Sequence, residues 1–435
     1  MRLLSHPPVR SRAVAVATAT VAALLPGLAS GALATGVHAQ TSSAGAAKVD
    51  RSAALRTIQD LISANYVFED LRGLLGAALR ESEAAGRYDV DDPDQFAARV
   101  TEDFQRVARD GHLYLRRDAS RYAAMTTSAD NDQALAALQR SRAIQRNHGL
   151  VEMNVRPGNI RYLKLTNFDW VADGSTAGAY DRAAEFLADG DAVILDLRGN
   201  GGGQSDAADD FTRKLLRIGE EGVPNRGPVF VLVDGDTGSA AEAVAYDAKV
   251  RGAAVIVGAR TYGAANNVRH YPVAPDLILS MSYNRPVHPL TGTNWEGTGV
   301  LPDLVTDSAL ALESAELEAL KALSDDLPDD SPARIGYEWR AAGLRARLEP
   351  PLIDEPTLEA FAGRYGTIEI RYDAGVLKLY RPERPRWPQG ARLLPMTPDA
   401  LFSMEGTDDL RFQFVAGSLQ ILRPGAAREI FLRLP

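Results

Sequence analysis

Ser239 is the first residue of this chain whose type and setting could do chemistry. It follows an apolar run, Val229-Phe230-Val231-Leu232-Val233, and a polar turn, Asp234-Gly235-Asp236-Thr237-Gly238, and it opens the stretch Ser239-Ala240-Ala241-Glu242. Five apolar residues closed by a glycine-rich turn predict a buried parallel strand. The helix expected after it points its free N–H groups and positive dipole end at the strand tip. A serine held there meets a field that favours both its own ionisation and a neighbouring oxyanion. Most serines at such junctions only cap the helix, and this segment taken alone favours that plainer role. A second loop follows another apolar run: Ala192-Val193-Ile194-Leu195-Asp196 leads into Gly199-Asn200-Gly201-Gly202-Gly203. Consecutive glycines let a substrate carbonyl approach bare backbone N–H groups, as an oxyanion hole requires. A tight turn would account for any one of them. His112 lies where a helical stripe gives way to an alternating strand, in Asp110-Gly111-His112-Leu113-Tyr114-Leu115. A lone histidine at such a junction is usually structural or solvated.

Other chemistries are excluded by what the chain lacks. Gln204 stands where the dinucleotide fingerprint needs its last glycine, and no Gly-Lys-Ser/Thr follows for a P-loop. There is no cysteine, no His-Glu-x-x-His, and the six histidines are scattered, so neither a metal site nor a cofactor is expected. The Gly-x-Ser-x-Gly elbow is absent around Ser239. A net charge of -9 leaves no basic stripe for nucleic acid.

The elements that must position these residues divide a 435-residue chain into two or three domains. Residues 1–39 carry Arg2, Arg10 and Arg12, an uncharged run from Ala13 to Ala34, and Val37-His38-Ala39 as a small-x-small cleavage site. This pattern predicts a secretory signal peptide and export to the periplasm or beyond, with no stable membrane insertion after cleavage. An uncleaved anchor is the alternative, and Pro26 with the many Gly, Thr and Ser residues makes it a poor one. Residues 40–50 form a spacer. Residues 51–118 show three amphipathic stripes, such as Phe96, Val100, Phe104 and Val107, and predict a helical cap bundle. In residues 119–325 apolar strands alternate with helices, which indicates an α/β core. Residues 326–356 are rich in Asp and Pro and form a linker with one short helix near Tyr337 to Leu344. Residues 357–435 change to short alternating strands and predict a separate antiparallel β domain.

Four motifs occur in order: Asp-Gly-His at 110–112, Asp-Leu-Arg-Gly-Asn-Gly-Gly-Gly at 196–203, Thr-Gly-Ser-Ala-Ala-Glu at 237–242 and Asn-Trp-Glu-Gly-Thr-Gly-Val at 294–300. Together they resemble the carboxy-terminal processing (tail-specific) serine peptidases, over roughly residues 50 to 325. The resemblance implies an α/β core of crotonase/ClpP-like fold beneath the cap. The C-terminal domain resembles the small lipocalin-like β domains appended to some bacterial hydrolases. The branch with a Ser–Lys dyad has lysine after the glycine of a Gly-x-x-Thr-x-Gly-Lys segment; here Gly258-Ala259-Arg260-Thr261-Tyr262-Gly263 is followed by Ala264. No PDZ insert is evident. The chain is thus more similar to the branch of the tricorn core and interphotoreceptor retinoid-binding protein.

That likeness implies Ser239 as nucleophile, His112 as general base and Glu296 as distal carboxylate. It also implies an oxyanion hole from the N–H groups of Ala240 and of Gly202 or Gly201. Gly111 occupies the position of tricorn's orienting serine. Asp196 and Arg198 are expected to shape the loop rather than react. The implied function is hydrolysis of a protein or peptide substrate through an acyl-enzyme, without metal or organic cofactor. Two alternatives use the same chain: a non-catalytic carrier of apolar ligands, and an esterase or amidase. Nothing in the pattern selects an oligomeric state.

Overall fold

The computed structural model describes residues 50–126, 131–216, 227–381, 383 and 390–435. The expected leader and residues 40–49 lie outside them. Three helices come first, Arg51–Asn65, Glu69–Ala84 and Pro93–Ala108. Asp50 and Asp92 cap the first and third through side-chain acceptors, and Pro93 occupies the first turn of the third, where its missing N–H costs nothing. Their apolar stripes, including Leu55, Ile58, Leu79, Phe96, Val100 and Phe104, close on one face of a three-stranded antiparallel sheet. The strand Tyr114–Arg117 forms one edge, Leu277–Asn284 the centre and Asn267–Ala274 the other edge. Leu113, Leu115, Leu277, Leu279 and Met281 alternate into that core. The opposite face carries Tyr114, Ser280 and His270, which the register sets directly opposite one another.

A six-stranded sheet holds the middle of the chain. Its order is Leu150–Arg156, Ile160–Leu165, Ala192–Asp196, Val229–Val233, Val255–Gly258 and Leu304–Val305. The first pair is antiparallel and the remaining pairs are parallel. Parallel strands covered on both faces read as unbroken apolar runs, and the alternation explains why both faces need them. Leu163, Leu165, Val193, Leu195, Val231 and Val233 pack against helices Ser175–Ala188, Ser205–Leu216 and Ala240–Val250. Ile160, Tyr162, Ile194, Phe230 and Leu232 pack on the other side against Ala311–Asp325 and Pro332–Leu348. The last of these is a 17-residue helix in the stretch expected as linker. Its Ala341 and Leu344 are buried in the core, while its many arginines dilute the apolar stripe along the sequence.

The C-terminal residues form an eight-stranded antiparallel sheet in sequential order, from Gly363–Tyr365 to Glu429–Leu432. It nearly closes on itself: Tyr365 bridges Arg433, and Leu434 N–H donates to the Arg364 carbonyl at 2.7 Å. Phe402, Phe412, Phe414, Leu419 and neighbouring apolar residues fill its interior. Among the described residues, no helix is long and apolar enough to cross a membrane.

Candidate active site

The strand Val229–Val233 ends in the turn that presents Ser239, and that turn is pinned by its own polar residues. Asp234 Oδ1 accepts the N–H groups of Asp236 and Thr237, and across the gap that of Gly199 at 3.0 Å. Thr237 Oγ1 donates to the Leu197 carbonyl, and Gly238 N–H donates to the Asn200 carbonyl. The Ser239 turn and the glycine loop are therefore one unit. Behind them Asp196, at the end of its strand, accepts from Tyr162, from the Arg198 N–H and from its guanidinium. Burial opposes its charge, but these donors win and hold its carboxyl below the usual range.

Ser239 itself has φ 52° and ψ -119°. An ordinary N-cap residue is extended, so this backbone is strained by about 1–3 kcal/mol and needs support from its surroundings. Gly202 supplies the room. A Cβ there would stand 2.7 Å from Ser239 Cβ and 2.8 Å from Ala240 N, and its φ of 100° excludes most side chains as well. Ala240 opens the helix, so its N–H has no partner within the helix and faces the same gap. Gly202 N–H donates to Asn200 Oδ1 at 2.9 Å, whereas Gly201 is exposed at the rim.

Glu242, fully buried one turn into the helix, is the hub that sequence reasoning left without a role. It accepts the N–H groups of Ser239 (2.9 Å), Gly263 (2.6 Å) and Ala264 (2.9 Å) and the Thr261 hydroxyl. The Ser-x-x-Glu spacing of a capping box was its signal. Through it the Ser239 turn is tied to the 261–266 loop.

The same loop reaches His112. The helix before the histidine ends on Arg109 in a left-handed conformation, and the chain then turns through Asp110. Asp110 Oδ1 accepts the His112 backbone N–H at 2.8 Å, and Oδ2 accepts the Tyr66 hydroxyl at 3.1 Å. His112 is 9% exposed. Burial lowers its pKa, while the charge of Asp110 and the backbone carbonyl of Asn266 resist that shift. The net effect is a pKa below the ordinary histidine value, set first by burial. Glu296 Oε2 accepts the N–H groups of Ala265 (2.6 Å) and Asn266 (3.0 Å). Burial raises its pKa, the Ala265 N–H opposes this, and the Asp110 charge adds to it.

The residues named from sequence therefore gather on two sides of one loop: Ser239, Ala240 and the glycine loop on one, His112 and Glu296 on the other. Tyr262 stands between them, with its Cβ 3.7 Å from where a Cβ on Gly238 would lie and its ring over Gly111. Its Cε1 is 2.3 Å from a Cβ built on Gly111, so no serine fits there unless Tyr262 moves. Among the described residues, no hydrogen bond joins Ser239 to His112 or His112 to Glu296. The charge that reaches the imidazole is that of Asp110.

Residues 159–306 match the family model described as Peptidase family S41. The chain is similar to a carboxy-terminal-processing protease of Bartonella bacilliformis, 28% identical over 175 residues, which are 35% of this chain and 40% of that protein. The match thus spans less than half of the curated relative. Among solved structures it is similar to a lipoprotein from Streptococcus agalactiae (14% identity, 62% of this chain and 96% of that one, TM-score 0.42). Similar too are the photosystem II D1 C-terminal processing protease (16%, 60% and 94%, TM-score 0.37) and the tricorn protease (14%, 68% and 37%, TM-score 0.41). The matched segment contains the glycine loop, Ser239, Glu242 and Glu296, while His112 precedes it. Over residues 159–306 the chain is thus similar to peptidase family S41.

Proposed function

We propose that the protein is an exported serine peptidase that hydrolyses peptide bonds in protein or peptide substrates through an acyl-enzyme on Ser239. The observation that carries this is the strained Ser239 backbone at the mouth of a helix, with Gly202 beneath it and a buried carboxylate, Glu242, holding it in place. An ordinary capping box accounts for the Glu242 contact at a helix mouth, but not for a positive φ at Ser239 or for the close approach of Gly202. His112 takes the Ser239 proton as Oγ bonds to the scissile carbonyl carbon, then returns it to the amine as the C–N bond breaks. Water, deprotonated by the same imidazole, next attacks the ester, releasing the acid and restoring the serine. The N–H of Ala240, with Gly201 or Gly202, stabilises the oxyanion; Gly202 serves only if Asn200 Oδ1 releases its N–H. Glu296 is the distal carboxylate. The core corresponds to the crotonase/ClpP-like fold beneath a helical cap, and the leader at 1–39 directs export.

Hydrolysis of an unfolded protein by the full chain tests the proposal. Ser239→Ala is expected to lower kcat/KM by at least about 10³-fold. Equal turnover by the variant and the unchanged protein would reject the assignment.

A further inference from the structure

Two buried polar groups of this site lack partners, and they belong to residues linked through the Asn266 backbone carbonyl. His112 Nδ1 is buried with no hydrogen-bond partner among the described residues. So are both side-chain atoms of Asn266, Oδ1 and Nδ2, in a residue only 2% exposed. Desolvating a carboxamide with nothing to bond costs about 1–3 kcal/mol, so such a group normally has a use. The Asn266 backbone carbonyl already bears on the His112 ring, and its N–H is donated to Glu296 at 3.0 Å. The position that a serine before the histidine could have filled is held by Gly111 under the Tyr262 ring.

We propose that Asn266 is the positioning residue of His112, its side chain turning so that Oδ1 accepts the Nδ1–H of the imidazole, a bond not made in this structure, and that Glu296 acts on the base through Asn266. The idea rests on His112 being the base. It fixes the tautomer: with the proton on Nδ1, Nε2 keeps the lone pair that Ser239 needs. It also explains how Glu296 serves the site without touching the ring. Glu296 clamps the backbone of the residue whose side chain holds the imidazole. The titratable groups facing His112 are Asp110, backed by Tyr66, on its own turn, His270 on the strand Asn267–Ala274 and, beyond Asn266, Glu296.

Proton NMR of the full chain reads the bond directly. A downfield, exchange-protected ring N–H that vanishes in His112→Ala and in Asn266→Ala is expected. Its absence from the unchanged protein, or its persistence in Asn266→Ala, would overturn the proposal whatever the enzyme activity. In hydrolysis, Asn266→Ala should lower kcat about 10²-fold with KM within about twofold. Asn266→Asp, which keeps an acceptor and adds a charge, should recover most of kcat and move the acidic limb of the pH profile upward. Equal kcat in Asn266→Ala and the unchanged protein would sink the assignment even if Ser239 and His112 prove essential. A protected Nδ1–H in a protein without peptidase activity would instead leave this bond standing and remove the proposed function.

Discussion

At the scale of single residues, the site's electrostatics centre on Asp110. Its carboxylate is buried, has both oxygens occupied by Tyr66 and the His112 backbone, and supplies the charge that stabilises the imidazolium. Removing that charge should lower the pKa of His112 further, because burial then acts unopposed. With His112 as the proposed base, the acidic limb of kcat/KM should lie below the ordinary histidine value and move lower still in Asp110→Asn. The plateau should fall roughly tenfold, as a weaker base removes the serine proton less well. An acidic limb that stays in place on titration would contradict this assignment. The motif Asp-Gly-His pointed to His112, but not to its first residue. The role of Asp110 depends on Tyr66, 44 positions earlier, and no local spacing encodes such a contact.

At the scale of elements, the 261–266 loop joins the two halves of the site. Glu242 and Glu296 hold it from opposite sides by accepting its N–H groups, and the exposed Tyr262 ring lies over Gly111. The strands and helices that carry Ser239 and the glycine loop were legible because apolar period and glycine turns are local signals. The use of this loop was not, since it binds through backbone donors that any sequence would offer. Gly111 and Tyr262 make the coupling measurable. Gly111→Ser alone should destabilise the protein by about 1 kcal/mol or less, because the exposed Tyr262 ring can swing aside. The pair Gly111→Ser with Tyr262→Ala should cost less than the sum of the single changes, with a coupling of about 0.5 kcal/mol from urea unfolding midpoints. Strict additivity would show that the ring does not exclude the side chain.

At the scale of the whole molecule, the eight-stranded sheet docks onto helix Pro332–Leu348 rather than hanging from a linker. Trp339 Nε1 donates to the Asp408 carbonyl at 2.7 Å, and the Arg411 guanidinium lies 3.6 Å above the Trp339 ring. Burial lowers the Arg411 pKa to about 10. The Asp408 carboxylate meets Arg340 and Arg347. From sequence this helix reads as a short insert in an acidic, proline-rich stretch, because its docking residues are polar and aromatic instead of an apolar stripe. Arg411→Ala should weaken docking by about 1–2 kcal/mol, seen as faster hydrogen exchange over residues 407–415 at unchanged kcat/KM. Unaltered exchange there would mean that the contact contributes nothing to holding the sheet.

The central claim is that Ser239 is a nucleophile activated by His112. The most direct measurement is covalent labelling of the full chain with a fluorophosphonate probe, followed by mapping of the modified peptide. The account predicts one adduct, on Ser239, lost in Ser239→Ala and formed at least about 10²-fold more slowly in His112→Ala. No adduct, an adduct on another residue, or undiminished labelling of His112→Ala would contradict it.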